Sequence, residues 1–455
     1  QSVTIPDSVT SIGNDAFQRC TALQYLFLPD SVNSIGTDAF VDSGITSLYM
    51  SENTRSAIGA EFGSGKTIGG KSDVLIINTA STIFRLDDGT QSVIDISGEL
   101  IETSYTDEGI SKVNIVEVYV GSNVTSLGSG AFSNASYLIH CYISSSVTSI
   151  SNSVFNRCIR LQSFNMPNSV TSIGPYCFYF CSALEKLTFS DSLTEIPNNA
   201  IGWSQRYLKE LHIPDGVTTI GQQACRMIYN LQALTIPDSV TSIGSYSFQS
   251  LAIRGTDAKI KDLVKTLTLP DSITNLPYMS FSYSGLRTIN LPSNLVSIES
   301  NAIKDNYYLE NLVLPNTVQT IGSYFITGCH MIGSLTIPLT IKTIDSLAFQ
   351  GSSIVTIKIG TIAANNLGVT FGSGQSFFGK DNVTIENEYN AETTFTYSDG
   401  TTFTYDITGE LSSSSYPDVT KASVQEVYVG CNVTSIGNDA FNGFTALTSI
   451  TIADT

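Results

Sequence analysis

Charged side chains are scarce in this sequence. Only 14% of the 455 residues are charged, and acidic residues outnumber basic ones by 40 to 22, which gives a net charge of −18. This excess of negative charge opposes binding to nucleic acid or to anionic lipid through phosphate contacts. Long apolar runs are missing too. Because no stretch of 18 apolar residues occurs, the sequence predicts no membrane-spanning segment.

Residues suited to catalysis or to cofactor binding are also few. The sequence has three histidines, none of them in an H-E-x-x-H motif, and it has no G-x-S-x-G motif. The Gly-rich segment 63–67 contains a lysine, but Ala60 stands where a phosphate-binding loop needs a glycine, and the matching segment 372–376 has no lysine. We therefore predict no enzymatic activity, no cofactor and no metal site.

What the sequence has in abundance is an internal repeat. The unit reads L-x-x-L-x-[LI]-P-D-S-V-x-S-I-G-x-x-A-F-x-x-C, and its copies follow one another at intervals of about 23 residues. The valine of the unit, or the Leu or Ile that replaces it, occurs at Val9, Val32, Val124, Val147, Val170, Leu193, Val217, Val240, Ile273, Leu295, Val318, Ile341 and Val433. The longer step before Ile273 contains a ten-residue insertion around 254–261.

Each part of the unit has a physical interpretation. The alternation at the end of L-x-x-L-x-[LI] is typical of a half-buried strand, so Leu26 and Leu28 should point inward. Pro-Asp-Ser is turn chemistry. The step from Val32 to Ile35 predicts a second inward-facing edge, and Ala39 with Phe40 should be buried in a short helical or irregular turn. One such coil cannot bury its own apolar side, but stacked coils share a continuous core.

The pattern resembles the BspA-like leucine-rich-repeat family, most clearly at 231–248 (LQALTIPDSVTSIGSYSF) and 161–178 (LQSFNMPNSVTSIGPYCF). The resemblance covers most of the chain. It implies a β-rich, right-handed solenoid with a parallel sheet on its concave face. It also implies an extracellular or cell-surface location, since members are surface proteins of bacteria and some parasitic protists, some of them linked to adhesion.

We interpret residues 1–455 as one solenoid cut from a longer protein. The first six residues match 232–237 inside a repeat, and the last three lie where other copies enter a turn. Solenoids need polar capping units, and neither end shows one. A signal sequence is not present either.

Two islands, at about 51–113 and 360–422, break the period and match each other. Phe62 corresponds to Phe371 and Tyr119 to Tyr428, each 309 residues apart, so a block of about that length is duplicated. Each island has strand-like runs around an Asp-Gly turn, at 84–90 and 395–401, which predicts a projecting β-hairpin. Such a hairpin would be either a binding protrusion or a spacer that accommodates a bend.

The eight cysteines permit two interpretations. They resemble a disulfide framework in number, but seven occupy apolar positions of the repeat, where free cysteine behaves as a small hydrophobe. The sequence favours buried, reduced thiols. Cys431 stands in a turn position and is predicted to be the exposed exception.

A row of aspartates is the remaining candidate for a metal site. Asp191, Asp215, Asp238 and Asp271 share one turn position in four successive coils. Such a ladder of carboxylates suits calcium. The alternative, which we favour, is that each aspartate caps its own turn and extends into solvent.

The candidate binding surface is the outward row of the main strands. Near the N-terminal end the third and fifth positions of L-x-x-L-x-L are aromatic, at Tyr25, Phe27, Tyr49, Tyr119 and Tyr142, and farther along they are mostly Thr and Asn. Tyrosine is favoured in binding surfaces, and large exposed apolar patches commonly mark interaction sites. The alternative is a simple preference of strands for Tyr, Phe and Thr.

The sequence therefore predicts a non-enzymatic cell-surface protein that recognises a host matrix or cell-surface protein, a glycan or another cell. The alternative is a structural or antigenic stalk without a specific ligand. The duplicated block offers a comparison, because its matching outward positions are Thr336, Lys358, Tyr428 and Thr451.

Overall fold

The computed structural model describes residues 3, 5–6, 8–203, 206–251, 265–387, 393–405, 407–430 and 432–453. The chain divides into two compact units, Gln1–Gly216 and Val217–Thr455. The ten-residue insertion around 254–261 and Cys431 lie outside the described residues.

In both units the L-x-x-L-x-[LI] segments form the main strands of a solenoid of stacked parallel coils. The pairing follows the repeat: Glu117 is opposite His140 and Tyr119 is opposite Tyr142, each 23 residues on. The inward positions are buried, as predicted for Leu26. The main strands of the first unit are Tyr25–Phe27, Ser47–Met50, Ile115–Val120, His140–Ile143, Ser163–Asn165, Lys186–Thr188 and Glu210–His212. Those of the second are Ala233–Thr235, Thr266–Thr268, Thr288–Asn290, Ser334–Ile337, Thr356–Ile359, Val424–Val429 and Ser449–Ile452.

The Ser-Ile step of each repeat forms a second, shorter strand, again parallel to its neighbours. Ser149 and Ile150, for example, are opposite Ser172 and Ile173. In the first unit these short strands are Ser11–Ile12, Ser34–Ile35, Gly98–Leu100, Val124–Leu127, Ser149–Ile150, Ser172–Ile173 and Glu195–Ile196. In the second they are Thr219–Ile220, Ser242–Ile243, Asn275–Leu276, Ser297–Ile298, Thr320–Ile321, Thr343–Ile344, Gly409–Leu411 and Val433–Ile436.

The turn that follows each short strand is irregular and is bonded coil to coil. In one coil Ser153 and Arg157 adopt left-handed backbone conformations, with φ of 58° and 60°. These conformations aim backbone amides at the next coil, where Phe155 N donates to Cys177 O at 2.9 Å and Arg157 N donates to Tyr179 O at 2.8 Å. The buried backbone of the turn is thereby satisfied without a helix.

Phenylalanines of the Ala-Phe step stack through the core. Phe132, Phe155 and Phe178 are completely buried, with ring centroids 5.7 and 5.4 Å apart along the stack. Each ring therefore covers the ring of the next coil, which is how a unit that cannot bury its own apolar side becomes stable in a stack.

The cysteine positions confirm the prediction of buried thiols, with one correction. Cys141, Cys158, Cys177, Cys181, Cys225 and Cys329 are buried and unpaired, whereas Cys20 is exposed. Elsewhere this position is covered by the preceding coil: Cys158 Sγ donates to Phe132 O at 3.1 Å. Cys20 was predicted to be buried, but it lies in the first coil of the chain and has no such cover.

A bulky thiol reagent is expected to modify Cys20 in the native protein and to leave the buried cysteines unmodified until the chain is denatured. Burial raises the pKa of Cys225 and of Cys329 to about 12, so their reactive thiolates are scarce as well as inaccessible. Mass spectrometry of labelled peptides would measure this, with Cys20→Ser as the control. Disulfides in the unreduced protein, or rapid labelling of Cys225, would contradict the structure.

The first island joins the main sheet and does not project from it. Thr82–Leu86 pairs antiparallel with Gln91–Ile94 around the Asp-Gly turn, but its other edge pairs antiparallel with the main strand Ile115–Val120. The predicted projection is therefore wrong. The reason is that Phe84, in the middle of the hairpin, is completely buried, which holds the hairpin against the core.

A second hairpin in the same island was missed by the sequence analysis. Gly63–Ile68 pairs antiparallel with Lys71–Asn78, which in turn pairs parallel with the main strand Ser47–Met50. Lys66 therefore lies in a strand and not in a phosphate-binding loop, and its Nζ is 2.9 Å from Glu61 Oε2. The island also contains the helices Glu52–Ile58 and Thr103–Thr106 and the short 3-10 helix Lys112–Asn114.

The islands interrupt the main sheet of each unit, and four sheets border them. In the first unit, sheet 1 contains Tyr25–Phe27, Ser47–Met50, Lys71–Asn78 and Gly63–Ile68, and sheet 2 contains Gln91–Ile94, Thr82–Leu86, Ile115–Val120, His140–Ile143, Ser163–Asn165 and Lys186–Thr188. In the second unit, sheet 3 contains Ser334–Ile337, Thr356–Ile359, Lys380–Asn387 and Gly372–Phe377, and sheet 4 contains Thr402–Tyr405, Thr393–Tyr397, Val424–Val429 and Ser449–Ile452. The second island also contains the helix Thr361–Leu367 and the short 3-10 helix Lys421–Ser423.

Candidate binding surface

The five aromatic residues predicted as a binding site lie together on the face of the main strands that points away from the core. They form, with Leu75, Ile77 and Ile83, a cluster separate from the core of the first unit. We call this cluster the aromatic seam, and its predicted members are Tyr25, Phe27, Tyr49, Tyr119 and Tyr142.

The seam joins sheet 1 to sheet 2. The ring of Phe27, in sheet 1, stacks on the ring of Tyr119, in sheet 2, with centroids 3.9 Å apart. Phe27 also stacks on Tyr49 at 4.2 Å, and Tyr119 on Tyr142 at 4.7 Å. The two sheets on either side of the island therefore pack face to face, which agrees with the island acting as a bend.

The exposure predicted for these aromatics is wrong at two of the five positions. Tyr49 is 0% exposed and Tyr119 is 4% exposed, while Tyr25, Phe27 and Tyr142 are half-buried. The physical reason is the face-to-face packing, because each outward ring finds an apolar partner on the opposite sheet instead of solvent. A ligand can reach only the three half-buried rings, at the margin of the seam.

A polar network crosses the seam and was not predicted. Arg85 Nη2 donates to Tyr49 Oη at 2.6 Å, and its guanidinium carbon lies 4.0 Å from the centre of the Tyr25 ring. Tyr25 Oη donates to Glu117 Oε1 at 2.9 Å, and Arg85 Nε lies 3.5 Å from Glu117 Oε2. Each polar group that enters the seam therefore has an oppositely charged or hydrogen-bonding neighbour. The odd pairing of Arg85 and Glu117 on outward positions of adjacent strands was the only signal in the sequence.

Burial shifts the ionisation of the groups in the seam. Desolvation raises the pKa of Tyr25 to about 12 and raises the pKa of Tyr119. It lowers the pKa of His140, whose ring lies beside Tyr142. These phenols stay neutral up to alkaline pH, so they act here as packing and hydrogen-bonding groups and not as acids or bases.

The same positions in the second unit hold polar residues. In the seam the outward row comprises Phe27, Tyr49, Ile77, Ile83, Tyr119 and Tyr142. The matching row in sheets 3 and 4 comprises Thr336, Lys358, Glu386, Thr394, Tyr428 and Thr451. Tyr428 is the only aromatic residue of the second row, and it is half-buried where Tyr119 is buried.

Sheets 3 and 4 approach each other at one end of this row. Leu339, which follows a strand of sheet 3, and Tyr428 both pack on Ala453, which follows a strand of sheet 4. Glu426 is exposed, whereas its counterpart Glu117 is 6% exposed. We call the space between these two sheets, bordered by the second row and Glu426, the second cleft.

The remaining outward positions form a polar face. Asn165 and Thr188 in the first unit, and Thr268 and Asn290 in the second, are exposed although the strand residues between them are buried. In the second unit Asn290 Nδ2 donates to Thr268 Oγ1 at 2.9 Å across neighbouring strands. This face is rich in hydroxyl and amide groups, as predicted for the middle of the chain.

The turn aspartates bond to neighbouring coils. Asp271 Oδ1 accepts from Ser293 N at 2.6 Å, and this backbone bond lowers the pKa of Asp271. Asp238 and Asp271 also line a shallow groove of about 450 Å³ beside Thr235 and Thr268. Across the described residues, no three His, Cys, Asp or Glu side chains come close enough to hold a metal ion. In the same part of the chain, no helix has the length and apolar character needed to cross a membrane.

A family model described as a BspA-type leucine-rich-repeat region, with six copies, matches residues 1–67, 107–224, 202–263, 259–368 and 410–455. The chain belongs to this BspA-type leucine-rich-repeat family. The resemblance seen in the sequence is thereby confirmed, and so is the solenoid of stacked parallel coils. The two stretches that the model leaves unmatched, 68–106 and 369–409, fall within the two islands.

Solved structures of other leucine-rich-repeat proteins are similar to this BspA-type chain. A leucine-rich-repeat protein from Bacteroides ovatus is 19% identical, with a TM-score of 0.48 over 84% of this chain and 76% of that one. A leucine-rich cell-surface protein from Faecalibacterium prausnitzii is 17% identical, with a TM-score of 0.35 over 98% and 84%. The pneumococcal vaccine antigen PcpA is 16% identical, with a TM-score of 0.33 over 100% and 87%. A comparison with curated proteins finds no match.

Proposed function

We propose that this chain is a non-catalytic recognition protein, displayed at a cell surface, that binds a protein or a glycan of another cell or its matrix. Its membership of the BspA-type family supports a repeat-based interaction or surface role. The observation that carries the proposal is the outward face of the main strands, where exposed Thr, Asn and charged side chains are held in register every 23 residues on a buried core.

Such a face suits non-covalent binding. The strand backbone is fixed by its pairing on both sides, so little conformational entropy is lost when the outward side chains contact a partner. The side chains supply hydroxyl, amide and carboxylate groups for hydrogen bonds. By contrast, the three histidines do not form part of any three-residue group of acidic, cysteine and histidine side chains among the described residues, so the geometry offers no support for catalysis.

The alternative of a stalk without a ligand is favoured by one observation. The aromatic residues best suited to bind a partner are used inside the seam, where Tyr49 and Tyr119 are buried. In that case the repeats would supply length and a hydrophilic coat only. The two functions differ in whether the folded chain has a saturable ligand.

A binding screen of the folded chain against matrix proteins, glycans and whole cells tests the proposal. We expect saturable binding that is lost when the chain is denatured. Hydrogen exchange with the bound ligand should show new protection in the main strands, and the short strands, on a different face of the coils, serve as the internal control. Failure to bind anything would favour the stalk, and protection confined to short strands such as Ser172–Ile173 would contradict a site on the main strands.

A further inference from the structure

The duplicated block has turned a filled seam into a polar cleft. Position by position, Phe27 is replaced by Thr336, Tyr49 by Lys358 and Ile77 by Glu386. On the facing sheet, Ile83 is replaced by Thr394 and Tyr142 by Thr451, whereas Tyr119 is kept as Tyr428. Five of the six apolar residues are therefore polar in the second cleft.

The second cleft is correspondingly more open to solvent. Lys358 is half-buried where Tyr49 is 0% exposed, and Thr451 is exposed where Tyr142 is half-buried. Rings that pack on one another hold sheets 1 and 2 together, whereas sheets 3 and 4 meet only at one end of the row, where Leu339 and Tyr428 contact Ala453. The cleft therefore keeps the walls of the seam without its filling.

We propose that the second cleft is a binding site for a neutral or N-acetylated oligosaccharide. This proposal rests on the proposed recognition function and gives it a site and a ligand class. The half-buried ring of Tyr428 offers an apolar face for a sugar ring, because such a ring presents apolar C–H groups and an aromatic face carries negative charge density. Glu386 and Glu426 supply carboxylates that accept from sugar hydroxyls in charge-assisted bonds.

The hydroxyl-rich wall completes the chemistry. Thr394 lies opposite Tyr428 in the sheet, and its Oγ1 is buried with no hydrogen-bond partner among the described residues. A buried hydroxyl without a partner is costly, and a ligand hydroxyl in the cleft would provide one. Lys358 adds a donor for a carbonyl such as that of an N-acetyl group.

The charge of the site favours uncharged sugars. Two carboxylates, of Glu386 and Glu426, face a single ammonium group, of Lys358, and the chain as a whole carries −18. Sulfated or sialylated glycans would be repelled. A peptide ligand would need apolar pockets for its anchoring side chains, and five of the six apolar positions have been removed.

The full chain should be applied to an array of neutral, N-acetylated, sialylated and sulfated oligosaccharides. We expect binding to neutral or N-acetylated members only. In titrations with the best of these, Tyr428→Ala and Lys358→Ala should each weaken binding at least tenfold, whereas Tyr428→Phe should retain it. Tyr142→Thr, at the matching position of the first block, is the control and should bind like the wild type.

Refilling the cleft is the sharpest variant. Thr336→Phe combined with Lys358→Tyr restores two aromatic residues of the seam, and binding should then fall at least tenfold. Circular dichroism would show that each variant is folded, and the single-site variants decide the question if this double variant is not. Binding that survives these changes, or preferential binding of acidic glycans, would overturn the glycan site. So would a chain that binds a protein but no glycan, although the proposed function would then stand, and a chain that binds nothing would end both.

Discussion

Replacing Tyr119 by alanine is expected to destabilise the first unit by about 3–5 kcal/mol, the cost typical of removing a large buried aromatic side chain. Tyr119 is 4% exposed, and its ring stacks on Phe27 at 3.9 Å and on Tyr142 at 4.7 Å. Its loss leaves a cavity between sheets 1 and 2. Because every 1.4 kcal/mol is a factor of ten, amide hydrogen exchange through opening of these sheets should become more than a hundredfold faster.

The duplicated block supplies the matched control for this variant. Tyr428→Ala removes the same side chain from the equivalent position, but Tyr428 is half-buried and none of its five neighbours in the row is aromatic. We expect a loss of about 1 kcal/mol, the average for a point substitution. Hydrogen exchange measured by mass spectrometry on the full chain would report both units at once, and equal effects in the two units would contradict the filled seam.

Replacing Arg85 by threonine, the residue found at the matching position 396, is expected to cost roughly 3 kcal/mol. This is the lower end of the cost of removing one partner of a buried ion pair, since the Arg85 side chain is 24% exposed and that of Glu117 is 8% exposed. The variant also deprives Tyr49 of its donor and Tyr25 of the cation above its ring. Glu117 would remain as a buried carboxylate without a cation.

A second substitution tests that explanation. Adding Glu117→Gln to Arg85→Thr removes the uncompensated charge, so about half of the lost stability should return. Glu117→Gln alone should be destabilising, because it leaves Arg85 without its carboxylate. Denaturant unfolding of the four proteins, with local hydrogen exchange in sheet 2, gives the coupling energy. Strictly additive effects would show that Arg85 and Glu117 do not interact in the way that the structure describes.

The coils themselves were predictable because their pattern is periodic and local. Leu26, Phe155 and Cys158 were assigned to the core from their position in a 23-residue unit, and each is buried. The turn chemistry, the second strand at Ser-Ile and the irregular turn after it also follow from residues within one coil. No long-range information was needed, since each coil contacts only its neighbours.

The seam was only half predictable for the same reason. The sequence placed Phe27 and Tyr119 on the outward face, which is correct, because alternation along a strand fixes the face of each side chain. It did not reveal that the two outward faces meet. That contact depends on the path of the island, and the hairpin of Gly63–Ile68 with Lys71–Asn78 has no counterpart in the repeat.

The seam also connects residues that are far apart in the sequence. Tyr25 donates to Glu117, 92 residues later, whereas the other contacts of a solenoid join residues one coil apart. Without such a link, a stack of coils unfolds progressively from its ends, because its stability is a sum of nearest-neighbour terms. A contact that closes so long a loop carries an entropic cost during folding, so it should form late, slow the folding of the first unit and make the coils before and after the island open as one cooperative unit. The second block, with its cleft unfilled, should fray coil by coil.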